Sequence, residues 1–331
     1  MHVVAPLGAV TAPPIQQPPI VVHPAGGASL FGFPGALARA REEPWRLVGA
    51  LSFARGVRRR LREIEAFDRV VAHWIVPCAW PLVAHVRAPL EVVAHGADVR
   101  LLLRAPAAVR ASIVGSLVDR GARLQFVATH LLDALAGGLP AALAERLRAA
   151  SRVEPAPIEV PEPGPAAAAL RASIGLRERE GERLAVCVGR LVAGKRFELA
   201  VAAAAEIAPR LRLALVGEGP ERGRLEALAG AAGLRVISTG AVPREEALAW
   251  IAAADVLVHP SASEGAPSVV REARALGTPV VACAAGDVAL WARDDPGIVI
   301  AAPNARAITE ALLRVRSRDP RGRGSARAID R

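Results

Sequence analysis

The stretch LRLALVGEGPERGRLEALAGAAGLRVISTGAVPREEALAWIAAADVLVHPSASEGAPSVVREARALGTPVVAC, residues 211–283, decides the fold. Apolar runs at 211–216, 234–238, 254–259 and 279–283 alternate with stretches of helical composition at 221–232, 244–253 and 267–276. The apolar runs are nearly continuous rather than alternating, as parallel strands covered on both faces should be. The helical stretches open near Pro or an acidic residue, and Gly233 and Gly277 close two of them. Outward from this core the rhythm continues. A strand at 183–191 and a helix at 197–208 precede it, and a strand at 297–301 and a helix at 304–316 follow. Alternating βα units predict a doubly wound parallel sheet that takes ligands at the carboxyl ends of its strands.

The upstream half is similar in style but less regular, with short strands expected at 2–5, 20–22, 70–72, 92–94 and 124–127. The proline-rich segment EPAPIEVPEPGP (154–165) reads as a semi-extended linker. The expected organisation is a first domain over 1–152, a linker over 153–165 and a second domain over 166–331, which opens with a helix at 166–174. A basic amphipathic stretch at 45–67 holds Arg55, Arg58, Arg59, Arg60 and Arg62. Two readings stand for it: the solvated face of one helix, or a membrane-surface helix with Trp45, Leu51 and Phe53 on its apolar side.

The formal net charge is +10, and its distribution matters. Residues 1–150 hold 17 Arg against 10 acidic residues, a net of +7, whereas 151–331 hold 25 Lys and Arg against 22, a net of +3. Eight Arg against three acids in 303–331 add a basic tail. Aromatic residues are 3% with no Tyr, which argues against a base-stacking surface, and no zinc-finger or RNA-binding spacing occurs. Nucleic acid is therefore not an expected partner; an anionic membrane surface or an anionic acceptor fits a basic face better. Cys78, Cys187 and Cys283 lie far apart and read as buried thiols in a reducing compartment. There is no secretory signal pattern and no apolar run near 20 residues. The expected location is cytoplasmic, with room for peripheral contact at the inner face of the plasma membrane.

Two constellations carry chemistry. In SEGAPSVVREARALGTPVVA (263–282), Glu264 sits in the turn after a buried strand, and Pro267 is placed to begin a helix. The free amides of Ala266, Ser268 and Val269 then form an anion site. Glu272 follows Glu264 with seven residues between, so the two carboxylates can accept hydrogen bonds from hydroxyls at opposite ends of a sugar nucleotide. In GRLVAGKRFEL (189–199) a strand leads into a loop carrying Arg190 and Lys195, the only lysine of the chain. Two cations beside helix amides can neutralise a departing diphosphate, the work Mg²⁺ does elsewhere. No Asp-x-Asp triplet occurs, so neither a metal nor any other cofactor is expected. The GEGPE turn (217–221) lets backbone approach a ligand at Gly217.

GRLVAGK, LVGEGPERGRLEALA (215–229), TGAVPREEALAWIAAADVLVHPS (239–261) and EGAPSVVREARALGTPVVA (264–282), in this order and spacing, resemble the C-terminal domain of the retaining glycosyltransferases of family 4. More loosely, VVAHWIVPCAWPLV (70–83) and EVVAHGADVRLL (91–102) resemble that family's acceptor domain. The resemblance implies the GT-B fold, two Rossmann-like domains facing a cleft. It also implies metal-independent transfer of a hexose-type sugar, with retention, from a nucleotide diphosphate donor to a glycan, lipid-linked or small-molecule acceptor. By that resemblance Arg190 and Lys195 bind the diphosphate and Glu264 the sugar hydroxyls. Glu272 takes the ribose, backbone near Val242 the base, and the Gly265–Ala266–Pro267–Ser268–Val269 turn the sugar or phosphate. His95 is implied as the cleft histidine, with His73 and Asp98 on the acceptor side; Glu264, His95, Arg190 and Lys195 form the implied catalytic set. His2, His23, His85, His130 and His259 are read as structural.

The chain departs from the family in two places. Residues 1–6 resemble the family's second strand, so the first domain is expected to lack the first strand, glycine turn and helix, roughly two dozen residues. Gly286-Asp287 stands where the family usually has Gly-Gly. Two other readings accordingly stay open: a weak or inactive nucleotide-sugar binder, and a sugar-nucleotide epimerase of the same architecture.

Overall fold

The computed structural model describes residues 1–6, 15–17, 20–31, 39, 43–64, 67–83, 86–161, 164–176 and 181–315. His85, part of the 45–67 stretch, and all of the basic tail beyond residue 315 lie outside the described residues. The chain forms two compact units, 1–125 with 134–152, and 126–133 with 153–331. Among the described residues no helix is long and apolar enough to cross a membrane.

In the first unit the strands are β1 (His2–Ala5), β2 (Ile15–Gln17), β3 (Ile20–Pro24), β4 (Val70–His73), β5 (Leu90–Ala94), β6 (Arg123–Phe126) and β7 (Ser151–Val153). They fall into two sheets, ordered β1-β3-β2 and β4-β5-β6-β7. The pairs β1/β3 and β4/β5 are parallel, and β2/β3 is an antiparallel pair the apolar pattern does not signal. Helices α1 (Val48–Glu63), α2 (Ala97–Arg104), α3 (Ala107–Asp119) and α5 (Ala141–Ala149) accompany them, and α4 (Thr129–Gly137) begins within the 126–133 segment of the second unit. The amphipathic reading of α1 needs a correction. Phe53 and Arg60 are buried, because Phe53 packs on Phe31 and the Arg60 guanidinium donates to Pro24 O and Glu63.

The second unit opens with α6 (Gly164–Ile174). Strands β8 (Arg183–Val188), β9 (Leu211–Val216), β10 (Val236–Gly240), β11 (Val256–His259), β12 (Val280–Cys283) and β13 (Ile298–Ala301) then form one sheet in the order β10-β9-β8-β11-β12-β13. Every neighbouring pair is parallel. Helices α7 (Phe197–Ile207), α8 (Arg222–Ala231), α9 (Arg244–Ala253), α10 (Ser268–Ala275), α11 (Val288–Asp294) and α12 (Ala305–Arg314) cover it.

Side-chain alternation explains why the strand sequences are apolar throughout. Ala185 and Cys187 of β8, with Leu211, Leu213 and Leu215 of β9, face a core closed by Phe197, Leu225 and Ile308 from α7, α8 and α12. Leu184, Val186, Ala214 and Val216 face the opposite core, closed by Leu248, Val270 and Val288 from α9, α10 and α11. With both faces covered, each fully buried Leu or Val contributes roughly 1.5–3 kcal/mol. Cys187 and Cys283 are buried and Cys78 is half-buried, all three as free thiols. Strand order reverses between β8 and β11, and in a doubly wound sheet that reversal opens a crevice at the carboxyl ends of those two strands.

Candidate donor site at the ends of β8 and β11

The loops after β8 and β11 are laced together by backbone. Ala262 N donates to Gly194 O at 2.9 Å, while Arg196 Nε and an Arg196 Nη donate to Pro260 O and Ser261 O, each at 3.0 Å. Arg196 caps α7 in the left-handed region, with φ of 50°. This lacing brings Lys195 Nζ to 2.7 Å from Glu264 Oε1. His259, the last residue of β11 and 1% exposed, places Nε2 3.4 Å from the same oxygen. That distance is long for a hydrogen bond, so the buried nitrogen has an ionic neighbour rather than an acceptor.

Electrostatics follow from this packing. Burial alone would raise the Glu264 pKa, but the contacts with His259 and Lys195 outweigh it and hold the carboxyl at about 2. Burial, with help from Lys195, pushes His259 below its ordinary value although Glu264 opposes this. The site at neutral pH is therefore a carboxylate between an ammonium and a neutral imidazole. A carboxyl depressed in the folded state stabilises above its unfolded pKa of 4.5 and loses that stabilisation as pH falls toward 2. At about 1.4 kcal/mol per unit, the loss is on the order of 3 kcal/mol. Urea unfolding between pH 6 and pH 3 is expected to show wild type losing most of that increment relative to Glu264→Gln; parallel curves would contradict the ion pair.

Backbone closes the remaining side. The loop after β8 lies on the GEGPE turn, with Leu191 N donating to Glu218 O at 2.9 Å and Glu221 N donating to Leu191 O at 3.0 Å. Gly217 has φ of 138°, and a side chain there would run into Gly189 O. Gly189 carries Arg190 next to it, exposed at the strand end. Helix α10 starts one residue later than expected, because Pro267 takes the N-cap position with φ −66° and ψ 112°. The amides of Ala266, Ser268 and Val269 meet no acceptor among the described residues, which leaves donors open at this helix end. Gly265 O lies against Gly286, fixing this turn to the loop after β12.

The other expected residues divide. Glu272 lies about 6 Å along α10 from Ser268 and meets Arg244 at 2.9 Å. Burial raises its pKa while Arg244 and Arg271 pull it down. Val242 packs its half-buried side chain against the core beneath α9. In the first unit, His73 Nδ1 and His95 Nε2 are 2.8 Å apart with rings stacked at 5.1 Å. Burial and His73 lower the His95 pKa. Asp98 is corrected: it is 2% exposed, and its oxygens accept from the amides of Ile75, His95 and Gly96. It positions the His95 turn and is not available to an acceptor.

Sequence reasoning missed His259, whose position five residues before Glu264 at a strand end is a usable signal. It also missed Asp287, which accepts from Thr129 N at 2.5 Å and from His130 N and Nδ1 at 3.2 and 3.0 Å, tying the segment 126–133 into the second unit. The Gly-Asp departure is thus a helix-capping acceptor for α4.

This geometry meets a matching comparison. Residues 172–324 match the family model of glycosyl transferases group 1. Among curated relatives, the putative teichuronic acid biosynthesis glycosyltransferase TuaC of Bacillus subtilis is 37% identical over 144 residues, 42% of this chain and 35% of that protein. The 2-deoxystreptamine glucosyltransferase of Streptomyces kanamyceticus is 38% identical over 140 residues, 41% of this chain and 34% of that protein. The chain thus spans about a third of the length of these relatives. Among solved structures, sucrose-phosphate synthase of Thermosynechococcus elongatus covers 99% of this chain and 84% of its own, with a TM-score of 0.72 and 22% identity. HepE of Anabaena in complex with UDP and glucose covers 94% and 80%, with a TM-score of 0.62 and 18% identity. These likenesses give the fold: α/β with parallel sheets, consistent with the two Rossmann-like domains of GT-B glycosyltransferases.

Proposed function

We propose that this chain is a retaining, metal-independent glycosyltransferase that moves a hexose-type sugar from a nucleotide diphosphate to a hydroxyl of a glycan, lipid-linked or small-molecule acceptor. The observation that carries the reading is the Lys195–Glu264–His259 cluster at the crevice between β8 and β11, beside the unpaired amides that open α10. Lys195, Arg190 and the Ser268 and Val269 amides take the diphosphate. Glu264 holds sugar hydroxyls, Glu272 the ribose and the backbone at Val242 the base. His95, paired with His73, serves the acceptor side.

In the reaction the bond from the anomeric carbon to the diphosphate oxygen breaks as the acceptor oxygen bonds to the same face of that carbon. The acceptor proton passes to the departing diphosphate oxygen. Fixed cations and amides in a low-dielectric crevice stabilise the charge that develops there. This reading sets the protein in the cytoplasm, with nucleotide sugars as donors. Calorimetry with UDP-, GDP- and ADP-sugars in EDTA tests it. Binding of at least one is expected; binding of none, or binding only after Mg²⁺ is restored, contradicts it.

A further inference from the structure

The first unit carries a surface that the donor site does not use. Helix α1 presses one face onto the loop after β3. A side chain at Gly56 would run into Ala25 O, one at Gly49 would meet Ser29 and Leu30, Ser52 Oγ accepts from Gly27 N at 3.0 Å, and Phe53 and Val57 are buried. That contact fixes the rotation of the helix and turns its opposite stripe outward. Trp45, in the turn Pro44–Leu47 that runs straight into α1, is 61% exposed, Val48 64% and Leu51 58%. The stripe continues through Arg55, Arg58 and Arg62, all exposed and in no ion pair among the described residues. Arg59 beside them pairs with Glu63 at 2.9 Å. Spacings of three and four residues keep these side chains on one face.

Exposed apolar residues of this size are usually scattered, whereas here three stand in line and are followed by three guanidinium groups that meet no carboxylate among the described residues. Arg46 lies 5.1 Å from the Trp45 ring centre and is itself held by Glu43 and Ser29 O, which restrains the indole in its outward position.

We propose that this stripe docks α1 on an anionic lipid surface, with Trp45, Val48 and Leu51 entering the headgroup layer and Arg55, Arg58 and Arg62 on lipid phosphates. Charge complementarity selects the occupant, since the first 150 residues carry a net of +7 and the stripe holds no carboxylate. Its apolar part is a wedge of three side chains, far short of the roughly 800 Å² per partner of a stable protein interface, yet suited to interfacial insertion strengthened by anionic lipid. The proposal is independent of the donor site.

Vesicle sedimentation without any nucleotide sugar tests it. Vesicles of phosphatidylcholine alone are compared with vesicles holding about a third phosphatidylglycerol, at low salt and at about 0.5 M NaCl, where exposed charges are screened. Partition to the anionic vesicles is expected to be at least about tenfold stronger, to fall with salt, and to drop about tenfold or more in R55E/R58E/R62E and in W45A/L51S. Far-UV circular dichroism confirms that the variants fold; the two sets change separate exposed side chains, so either one suffices. Equal partition to neutral vesicles, undiminished partition of folded variants, or retention on heparin without vesicle binding would each overturn the proposal.

Discussion

Glu264→Gln is expected to lower turnover by two to three orders of magnitude while the protein stays folded at neutral pH. The carboxylate is ionised because Lys195 at 2.7 Å and the neighbouring His259 overcome its burial. An amide keeps the shape and one acceptor oxygen but removes the charge that orients Lys195 and that strengthens hydrogen bonds to sugar hydroxyls. Loss of one preorganised electrostatic group in a closed site typically costs about 10²–10³ in kcat. The stability lost, on the order of 3 kcal/mol, leaves a typical domain folded. Steady-state kinetics with a donor that binds, under conditions where circular dichroism shows a native spectrum, decides the matter. Turnover within threefold of wild type would remove Glu264 from the reaction.

Gly217→Val is expected to be the most damaging substitution to the fold of the second unit. The residue has φ of 138°, a region open essentially to glycine alone, and a Cβ there would meet Gly189 O. Neither partner is free to move. Gly189 N donates to Val216 O at 2.9 Å, and Gly217 N donates to Gly240 O at 3.0 Å. Backbone strain and overpacking together cost about 3–5 kcal/mol, which in a unit of this size lowers Tm by roughly 10 °C. Donor affinity falls as well, because the same contact sets the loop that carries Arg190 and Lys195. A melting curve within about 2 °C of wild type would show that the turn relaxes and that the close approach is incidental.

The second unit was legible because physical constraints coincide there. Parallel strands buried on both faces read as continuous apolar runs, and glycines at helix ends mark the turns; residues 211–216 and 244–253 fall where expected. The topology also fixes which loops meet, so Lys195 and Glu264, 69 residues apart, are expected at neighbouring strand ends, whereas their direct ion pair is visible only in the structure. Helix α11 is not legible because its seven residues are too few to show a period, and the side chain of its N-cap residue, Asp287, caps α4 instead. In the first unit the short strands β2 and β7 carry too little pattern to be found. Asp98 looked like an acceptor contact because its role lies in three backbone amides, two of them in its own turn, and amides leave no trace in sequence. His259 is core, at 1% exposed, and its ring also borders Glu264, a contact that its place at a strand end five residues upstream hints at and the fold shows.

The central claim is that a nucleotide sugar sits on the crevice between β8 and β11, held by Lys195 and the opening of α10. A crystal structure with UDP-glucose, or with whichever nucleotide sugar calorimetry selects, tests this most directly. Diphosphate oxygens are expected within hydrogen-bond reach of Lys195 Nζ and of the Ser268 and Val269 amides, with Glu264 on sugar hydroxyls and no metal between protein and phosphate. Nucleotide bound elsewhere on the second unit, or a diphosphate reaching the protein only through a metal ion, would contradict the account.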